Sequence, residues 1–372
     1  MGILRLLLAI SVVLGHLDSR FRLISPPLAV QSFYIISGFY MSLILNEKYI
    51  NANNSYKLFI TNRLLKLYPI YYVVLFLIII VSCFYIFFSG HADGSTSLAY
   101  YIKYYNTMGL GSLIFLFFTN IFIFFQDAVM FLGLNTKNGH LFFTTDFKLT
   151  KPGLYNFLFI PQAWSISLEL MFYLIAPFIV RRNIKVIAAL ILVSLSVRVF
   201  LVLHGLKEDP WNYRFFPNEL VFFLLGNVAY KVYTKIKNMP INKWIPISFF
   251  LIIVLFTLIY ALIPGHIKHY FYTLLFFSFL PFIFLATKKW KTDSYIGELS
   301  YPIYICHLFI AAIISHVFVG YDKEILNIFI IIAILIFSYV LNELIVKKIE
   351  RFRQNRVKTP KDGKLYKAIV TK

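Results

Sequence analysis

The sequence predicts an all-α polytopic membrane protein with about ten transmembrane helices, and three observations lead to this fold class. The chain of 372 residues is 60% hydrophobic and 14% charged, with a mean hydropathy of +0.76, whereas a soluble domain is about half apolar and a quarter charged. Its apolar residues form runs that are long enough to cross a bilayer. Its lysines and arginines are concentrated in alternate loops.

The apolar runs define the predicted helices. A spanning helix needs about 20 residues, and such runs lie at residues 2–18, 28–46, 67–88, 161–180, 185–203, 217–233, 244–263, 270–287, 298–318 and 326–346. The first run is interpreted as a helix and not as a cleaved signal peptide, because no small-x-small cleavage site follows it. An eleventh run, at residues 108–126, is ambiguous.

Loop charge orients these helices. If the N-terminus is cytoplasmic and ten helices cross, the inner segments hold 24 lysines and arginines and the outer segments hold 10, as the positive-inside rule requires. A crossing at 108–126 would invert every later loop, so this run is predicted to be a re-entrant or interfacial helix. Both termini are then cytoplasmic, with a transmembrane domain at 1–346 and a basic cytoplasmic tail at 347–372.

The formal net charge of +20 would suggest a nucleic-acid partner in a soluble protein. Here the cations set the topology, so membrane lipids are expected around the chain and no nucleic acid is expected to bind. Cys83 and Cys306 lie in apolar runs without the spacing of a metal site. Neither a metal nor a permanently bound cofactor is expected.

Ionisable residues inside membrane helices are costly, and each is a candidate for function. Arg5 and His16 lie eleven residues apart, which is about 20° beyond three full turns of an α-helix and about 16 Å along its axis. Both therefore lie on one face of the first helix, Arg5 near the inner end and His16 in the outer half. The alternative is an arginine that reaches the inner interface and a histidine at the outer one.

Two further segments place charges near the membrane. Arg63 and Lys66 lie three residues apart at the predicted inner start of the third helix, where two cations can hold a phosphate-bearing ligand. Glu169, in a segment that begins at Trp164, is predicted to lie in the same outer half as His16, where a carboxylate can orient an imidazole. The alternatives are ordinary topology charge for the cations and a neutralised buried acid for Glu169.

A polar stripe begins the ninth predicted helix from the inner side. Tyr301, Tyr304 and His307 follow one another at intervals of three residues, which brings them along one side of a helix. An inner aromatic belt with a core histidine is the alternative interpretation.

These segments together resemble the membrane-bound acyltransferase-3 family. The motifs that carry the resemblance are Arg5 and His16 as an Arg-x10-His pair, residues 32–39 with Ser37 as a small-residue motif, Arg63 and Lys66 ahead of Tyr68 and Pro69, Trp164 with Glu169, Ser300 with Tyr301, Tyr304 and His307, and Glu350 after the last helix. The likeness covers nearly the whole chain. It departs from the family pattern at Lys66, which replaces an arginine, and in the spacing of the segment from Trp164 to Glu169.

The resemblance implies an O-acyltransferase in a bacterial inner membrane. The implied reaction transfers an acyl group, expected to be acetyl, from cytoplasmic acyl-CoA to a hydroxyl of a polysaccharide on the outer side of the membrane. O-antigen, capsule and exopolysaccharide are acceptors of the kind that the family modifies.

Residue roles follow from the matched motifs. His16 is expected to act as general base or acyl carrier, and Glu169 is expected to orient it. Acyl-CoA contacts are expected at Arg5, Arg63 and Lys66. Supporting residues are Ser37, Trp164, Tyr301, Tyr304 and His307, and the candidates for oxyanion stabilisation are Trp164 and Ser167.

A transporter, flippase or polymerase of lipid-linked glycans is the alternative function, with the same charges lining a substrate path. Transporters often contain internal repeats and helices broken by glycine or proline in corresponding halves, and the sequence has neither. CoA binding separates the two functions, because a glycan transporter has no reason to bind CoA.

Overall fold

The computed structural model describes residues 1–17, 19–49, 55–90, 96–265 and 267–357. It is 77% helical with almost no sheet, and eight of the described helices are long and apolar enough to cross a membrane. The predicted all-α polytopic membrane fold is therefore confirmed.

The helices follow one another in the order of the predicted runs. Their bounds are α1 Gly2–His16, α2 Pro26–Glu47, α3 Tyr56–Ser89, α4 Ser97–Tyr104, α5 Leu110–Phe122, α6 Trp164–Ile179, α7 Ile184–Leu203, α8 Phe216–Ile236, α9 Trp244–Ile259, α10 Ile267–Thr287, α11 Lys291–Val317, α12 Lys323–Leu341 and α13 Lys347–Asn355. A two-stranded antiparallel hairpin, β1 Leu132–Leu134 and β2 Leu141–Phe143, lies between α5 and α6.

Each of the ten predicted spanning runs corresponds to one helix. The eight long apolar helices are α2, α3, α6, α7, α9, α10, α11 and α12. Of the remaining two, α1 has 15 residues, and α8 carries a glutamate inside its apolar sequence. The run at 108–126 corresponds to α5, whose 13 residues span about 20 Å against a hydrocarbon core of about 30 Å. Because α1 is almost as short, length alone does not separate the two, and the re-entrant or interfacial placement of α5 stays a prediction.

The third helix is longer than its apolar run. It begins at Tyr56, ahead of the predicted start at 67, because the Ser55 hydroxyl caps it by accepting a hydrogen bond from the backbone NH of Leu58. Arg63 and Lys66 therefore lie inside α3 and not at its start.

Helix α2 packs closely against α8 in the interior of the bundle. A Cβ atom added at Gly38 would lie 1.9 Å from the backbone oxygen of Phe223, so glycine alone allows this approach. Nearby, the Asn227 side chain donates a hydrogen bond of 2.7 Å to the Ser42 hydroxyl. The small-residue motif of the second helix thus serves helix packing.

A buried ion pair joins α7 to α8. Arg198 Nη2 donates a hydrogen bond of 2.9 Å to Glu219 Oε1, and Gln31 Nε2 lies 3.3 Å from the same oxygen. Glu219 is fully buried. Charges inside a bilayer are tolerated when they pair, which accounts for an arginine inside an apolar helix.

Cationic side chains gather at one end of the bundle, which we call the basic end. It comprises the N-terminal halves of α1, α3 and α11, the C-terminal ends of α2 and α10, and α13. The C-terminus of α1, the N-terminus of α6 and the segment 123–163 with the hairpin lie at the opposite end. The basic end collects the termini that the sequence assigns to the inner side, and the orientation of the bundle in a membrane stays a prediction.

The predicted basic tail begins as a helix. A π-helical turn, Asn342–Val346, leads from α12 into α13. Arg353 is buried, and its Nε donates a hydrogen bond of 2.7 Å to the backbone oxygen of Asn62 in α3. Residues 358–372 of the tail lie outside the described residues, and the boundary at 346 stays a prediction.

Candidate active site

A cavity of about 400 Å³ lies at the basic end, and we call it the basic cavity. Its charged lining consists of the cations Arg5, Lys48, Arg63, Lys66, Lys288 and Arg353 and the acids Asp293, Glu298 and Glu350. The Asp293 carboxylate already accepts hydrogen bonds from the backbone NH groups of Gly2 and Ile3, at 2.7 and 2.9 Å, and so caps α1. All three residues expected to contact acyl-CoA line this cavity, where cations are in excess.

Arg63 is the most deeply buried of the three expected donor-site residues. It is 7% exposed, and its Nε is buried without a hydrogen-bond partner among the described residues. Lys66 exposes its side chain within the cavity, and Arg353 pairs with Glu350. Buried charged donors normally have partners, so an unpaired guanidinium NH beside further cations is the electrostatic pattern of a phosphate site.

A second cavity of about 100 Å³ continues from the basic cavity toward the middle of the bundle, and we call it the central cavity. Arg5, Tyr40, Lys66 and Tyr301 line both cavities, so the two adjoin. The polar residues found in the central lining alone are Ser37, Ser165, Glu169, Tyr173, Ser300 and Tyr304, with Tyr34 beside them. A polar path therefore leads from the basic cavity into the interior.

Glu169 lies on this path, with partners that differ from the one expected. Its Oε1 accepts hydrogen bonds from the Ser37 hydroxyl at 2.6 Å and from the Tyr173 hydroxyl at 2.5 Å. Within the described residues it makes no hydrogen bond to His16. The carboxylate lies more than one turn into α6 and faces α2, so the expected orientation of His16 by Glu169 does not occur in this structure.

His16 meets His307 instead. His16 is the last residue of α1, its side chain is exposed, and its Nδ1 lies 2.9 Å from the backbone oxygen of Val12. The ring centroids of His16 and His307 are 5.0 Å apart, with planes tilted by 50°. The sequence marked both histidines, but it gave no sign that they touch, because their contact depends on the packing of α1 against α11.

Tyr304 connects the histidine pair to the central cavity. Its ring lies 5.9 Å from that of His307, and its hydroxyl is 2.6 Å from the Ser165 hydroxyl and 3.1 Å from the backbone oxygen of Gln162. Tyr301, one turn toward the basic end, donates a hydrogen bond of 2.8 Å to the backbone oxygen of Leu67. The predicted polar stripe of α11 therefore follows the path from the basic cavity to the histidines.

The sequence did not single out Arg214, an arginine that interacts with His16 and Tyr304. Arg214, in the loop before α8, donates two hydrogen bonds to the Asp209 carboxylate, at 2.6 and 3.1 Å. Its guanidinium stacks on Trp164 and interacts electrostatically with His16 and Tyr304. Its only sequence signal is its position in an outer loop, where cations are ordinarily topology charges.

A buried acid restricts the candidates for oxyanion stabilisation. Ser167 donates a hydrogen bond of 2.7 Å to Asp127 Oδ1, and Asp127 is 7% exposed in the segment after α5. Burial raises the pKa of Asp127 to about 6, although the hydrogen bond from Ser167 opposes the shift. Because the Ser167 hydroxyl proton is engaged by Asp127, Ser167 is not free to donate to an oxyanion. Trp164 remains a candidate.

Comparison with known proteins gives one match. A family model described as an acyltransferase domain matches residues 1–343 of the chain. No curated protein sequence and no solved structure matches it. The matched region includes the basic cavity residues from α1 to α11, the central cavity and both histidines.

Proposed function

Because the chain belongs to the acyltransferase-3 family and is a membrane acyltransferase, we propose that it transfers an acyl group, expected to be acetyl, from cytoplasmic acyl-CoA to a polysaccharide hydroxyl. The acceptor is a surface or lipid-linked glycan on the outer side of a bacterial inner membrane. The observation that carries this proposal is the pair of adjoining cavities, which lead from a cluster of cations toward an exposed histidine at the opposite end.

The basic cavity suits the donor. A CoA head group carries several phosphate charges, and arginine and lysine bind phosphate through charge-assisted hydrogen bonds. Arg63 offers a buried NH that has no partner in the described part of the chain, and Lys66 and Arg5 lie where the basic and central cavities meet. In the proposed complex, Arg63 and Lys66 hold the phosphates, while Arg5 lies beside the part of the donor that enters the bundle.

The central cavity suits the thioester arm. Its lining mixes aromatic rings with hydroxyl groups, and Glu169 is held by two of them. We assign Glu169 a positioning role in this passage, through Ser37 and Tyr173, in place of the expected contact with His16. Tyr304 marks the end of the passage nearest His307 and His16.

The acceptor reacts at His16 in this proposal. In direct transfer, a sugar hydroxyl loses its proton to His16 Nε2, its oxygen bonds to the acyl carbon, and the CoA sulfur leaves with the electron pair of the broken C–S bond. In the two-step route, His16 Nε2 carries the acyl group before the hydroxyl takes it. Arg214 and Trp164 lie on the acceptor side, where a fixed cation favours negative charge on the acyl oxygen.

The test compares surface glycans from strains that differ only in this gene. Mass spectrometry of polysaccharide should detect ester-linked acyl groups in a deletion strain complemented with the wild-type gene, and none in the uncomplemented strain. His16→Ala should behave as the deletion while reaching the membrane in normal amount. Unchanged acylation in the deletion strain would overturn the proposed function.

His204 offers a matched control for His16. It follows the last residue of α7, is exposed, and its Nδ1 lies 2.9 Å from a backbone oxygen four residues earlier, as for His16. His204→Ala should leave acylation unchanged. Purified wild-type protein should also bind acetyl-CoA, and a protein that does not would favour the alternative of a glycan transporter.

A further inference from the structure

His307 has a buried nitrogen that the packing of the folded chain does not satisfy. The residue is 1% exposed, and its Nε2 has no hydrogen-bond partner among the described residues. An orphaned buried polar atom costs free energy, so its persistence calls for a partner that forms at another stage of the reaction.

The tautomers of both histidines follow from their backbone contacts. His307 Nδ1 lies 2.7 Å from the backbone oxygen of Tyr304, and His16 Nδ1 lies 2.9 Å from that of Val12. A carbonyl oxygen only accepts hydrogen bonds, so each Nδ1 carries the proton in the neutral rings and each Nε2 carries a lone pair. In this tautomer each neutral imidazole offers only an acceptor at Nε2, so the two Nε2 atoms cannot form a hydrogen bond with one another.

Protonation of His16 supplies the hydrogen-bond donor that the two neutral histidine rings lack. When His16 Nε2 takes a proton it becomes a donor, and the ring of His307, 5.0 Å away between centroids, carries at Nε2 an acceptor that has no partner among the described residues. The position of His16 is fixed from the far end of α1, where Asp293 of α11 accepts hydrogen bonds from Gly2 and Ile3. The same two helices therefore carry both the anchor and the pair.

We propose that His307 is a positioning residue whose Nε2 accepts a hydrogen bond from the His16 imidazolium that forms during acyl transfer. The inference rests on the proposed function of His16 as base. The sugar hydroxyl proton moves to His16 Nε2 as the new C–O bond forms and the C–S bond breaks, and the resulting Nε2–H donates to His307 Nε2. The proton later passes from His16 to the CoA thiolate, and both rings return to their neutral forms.

Two amide variants separate this role from a packing role. His307→Asn places an NH group where Nδ1 was, so it keeps the bond to the Tyr304 carbonyl and loses the acceptor toward His16. His307→Gln places an amide oxygen near the former Nε2, so it keeps an acceptor and weakens the bond to the carbonyl. If His307 positions His16, the Gln variant should be more active than the Asn variant. If His307 serves only packing, the Asn variant should be the more active of the two.

The measurement is acyl transfer by the full chain in lipid vesicles, with acetyl-CoA as donor and polysaccharide from the deletion strain as acceptor. We expect His307→Asn to lower kcat roughly 10- to 100-fold, the loss expected for a charged hydrogen bond, with little change in KM for acetyl-CoA. His307→Gln should recover most of kcat. Cys306→Ala changes the neighbouring buried residue, which faces α12 through Ser338, and should leave both constants unchanged.

The possible results distinguish a failure of the His307 proposal from a failure of the proposed function of His16. If His307→Asn matches the wild type, or if Asn is active and Gln is not, the positioning role is wrong while His16→Ala can still be inactive. If His16→Ala also transfers acyl groups normally, the proposed function of His16 fails first. A Tm in detergent equal to that of the wild type identifies the variants that are folded and therefore decisive.

Discussion

The guanidinium carbon of Arg214 lies 4.4 Å from the centre of the Trp164 ring, and the Asp209 carboxylate holds the same guanidinium by two hydrogen bonds. Trp164 is 4% exposed and begins α6, so the loop cation is held against the bundle by Trp164 and oriented within its own loop by Asp209. The guanidinium held in this way interacts electrostatically with His16, at the end of the bundle where the acceptor is proposed to react.

The first prediction concerns this charge. Arg214→Gln removes the cation and keeps a polar, shorter side chain. Loss of one charged contact costs about 1.5–3 kcal/mol, so the acyl-transfer rate should fall roughly 10- to 150-fold. Arg214→Lys should lose less, since it keeps the charge and gives up the planar stacking and the two-point bond. Steady-state transfer from acetyl-CoA in vesicles measures both.

Lys207 is the control, because it is an exposed cation in the same loop. Lys207→Gln should transfer acyl groups at the wild-type rate. Equal losses for Lys207→Gln and Arg214→Gln would mean that the loop acts only through its overall charge, and the local role of Arg214 would then be wrong.

The helices were predictable because a bilayer demands apolar runs of a fixed length, and because loop charge reports their direction. Arg5, His16 and Glu169 could be marked one by one, since ionisable groups inside such runs are costly. Their partners could not be predicted. Glu169 turns toward Ser37 and His16 toward another histidine, because the rotation and pairing of helices depend on packing that no local pattern encodes.

Loop and tail charges were the other limit of the sequence. Arg214 and Arg353 belong to segments in which most cations serve topology, and nothing in their local sequence distinguishes them from their neighbours. Their tertiary contacts distinguish them, because Arg214 stacks on Trp164 and Arg353 binds a backbone oxygen of α3.

The second prediction concerns the donor. Arg63→Ala should raise the KM for acetyl-CoA roughly 10- to 150-fold, the cost of one charged phosphate contact, with a much smaller effect on KM for the glycan. Lys66→Arg should bind the donor equally well or more tightly, since arginine makes two-point contacts with phosphate. Equilibrium binding of CoA to the purified proteins gives the same comparison without the acceptor.

Lys57 is the matched control for Arg63. It lies two turns earlier on α3 and is exposed, so it shares the helix and the charge but not the cavity. Lys57→Ala should bind CoA normally. Wild-type CoA affinity in Arg63→Ala would identify Arg63 as a topology charge and defeat the donor-site role.

The third prediction concerns the contact between α2 and α8. Gly38→Ala adds a methyl group that would lie 1.9 Å from the backbone oxygen of Phe223, and overpacking of this kind costs about 1–3 kcal/mol or more. The Tm in detergent should fall by several degrees. Gly111→Ala is the control, because a Cβ atom added there would meet no atom within 4 Å among the described residues outside its own helical turn, and alanine favours a helix. A Tm for Gly38→Ala as high as that of Gly111→Ala would contradict the packing.

The last prediction concerns Asp127 and pH. Burial raises the pKa of this carboxyl to about 6, above the value of about 3.9 in an unfolded chain, so folding favours its protonated form. Its contribution to stability is complete below about pH 4 and is lost as the pH rises through about 6. A difference of this size corresponds to roughly 3 kcal/mol. Asp127→Asn keeps an oxygen that can accept the hydrogen bond from Ser167 and cannot ionise. Its Tm should therefore exceed that of the wild type at pH 7 and match it near pH 4.

Glu208 is the control, because it is an exposed acid in the loop before α8. The Tm of Glu208→Gln should follow the wild-type curve from pH 4 to 7. Parallel curves for Asp127→Asn and the wild type from pH 4 to 7 would mean that Asp127 is ionised in the folded protein throughout that range.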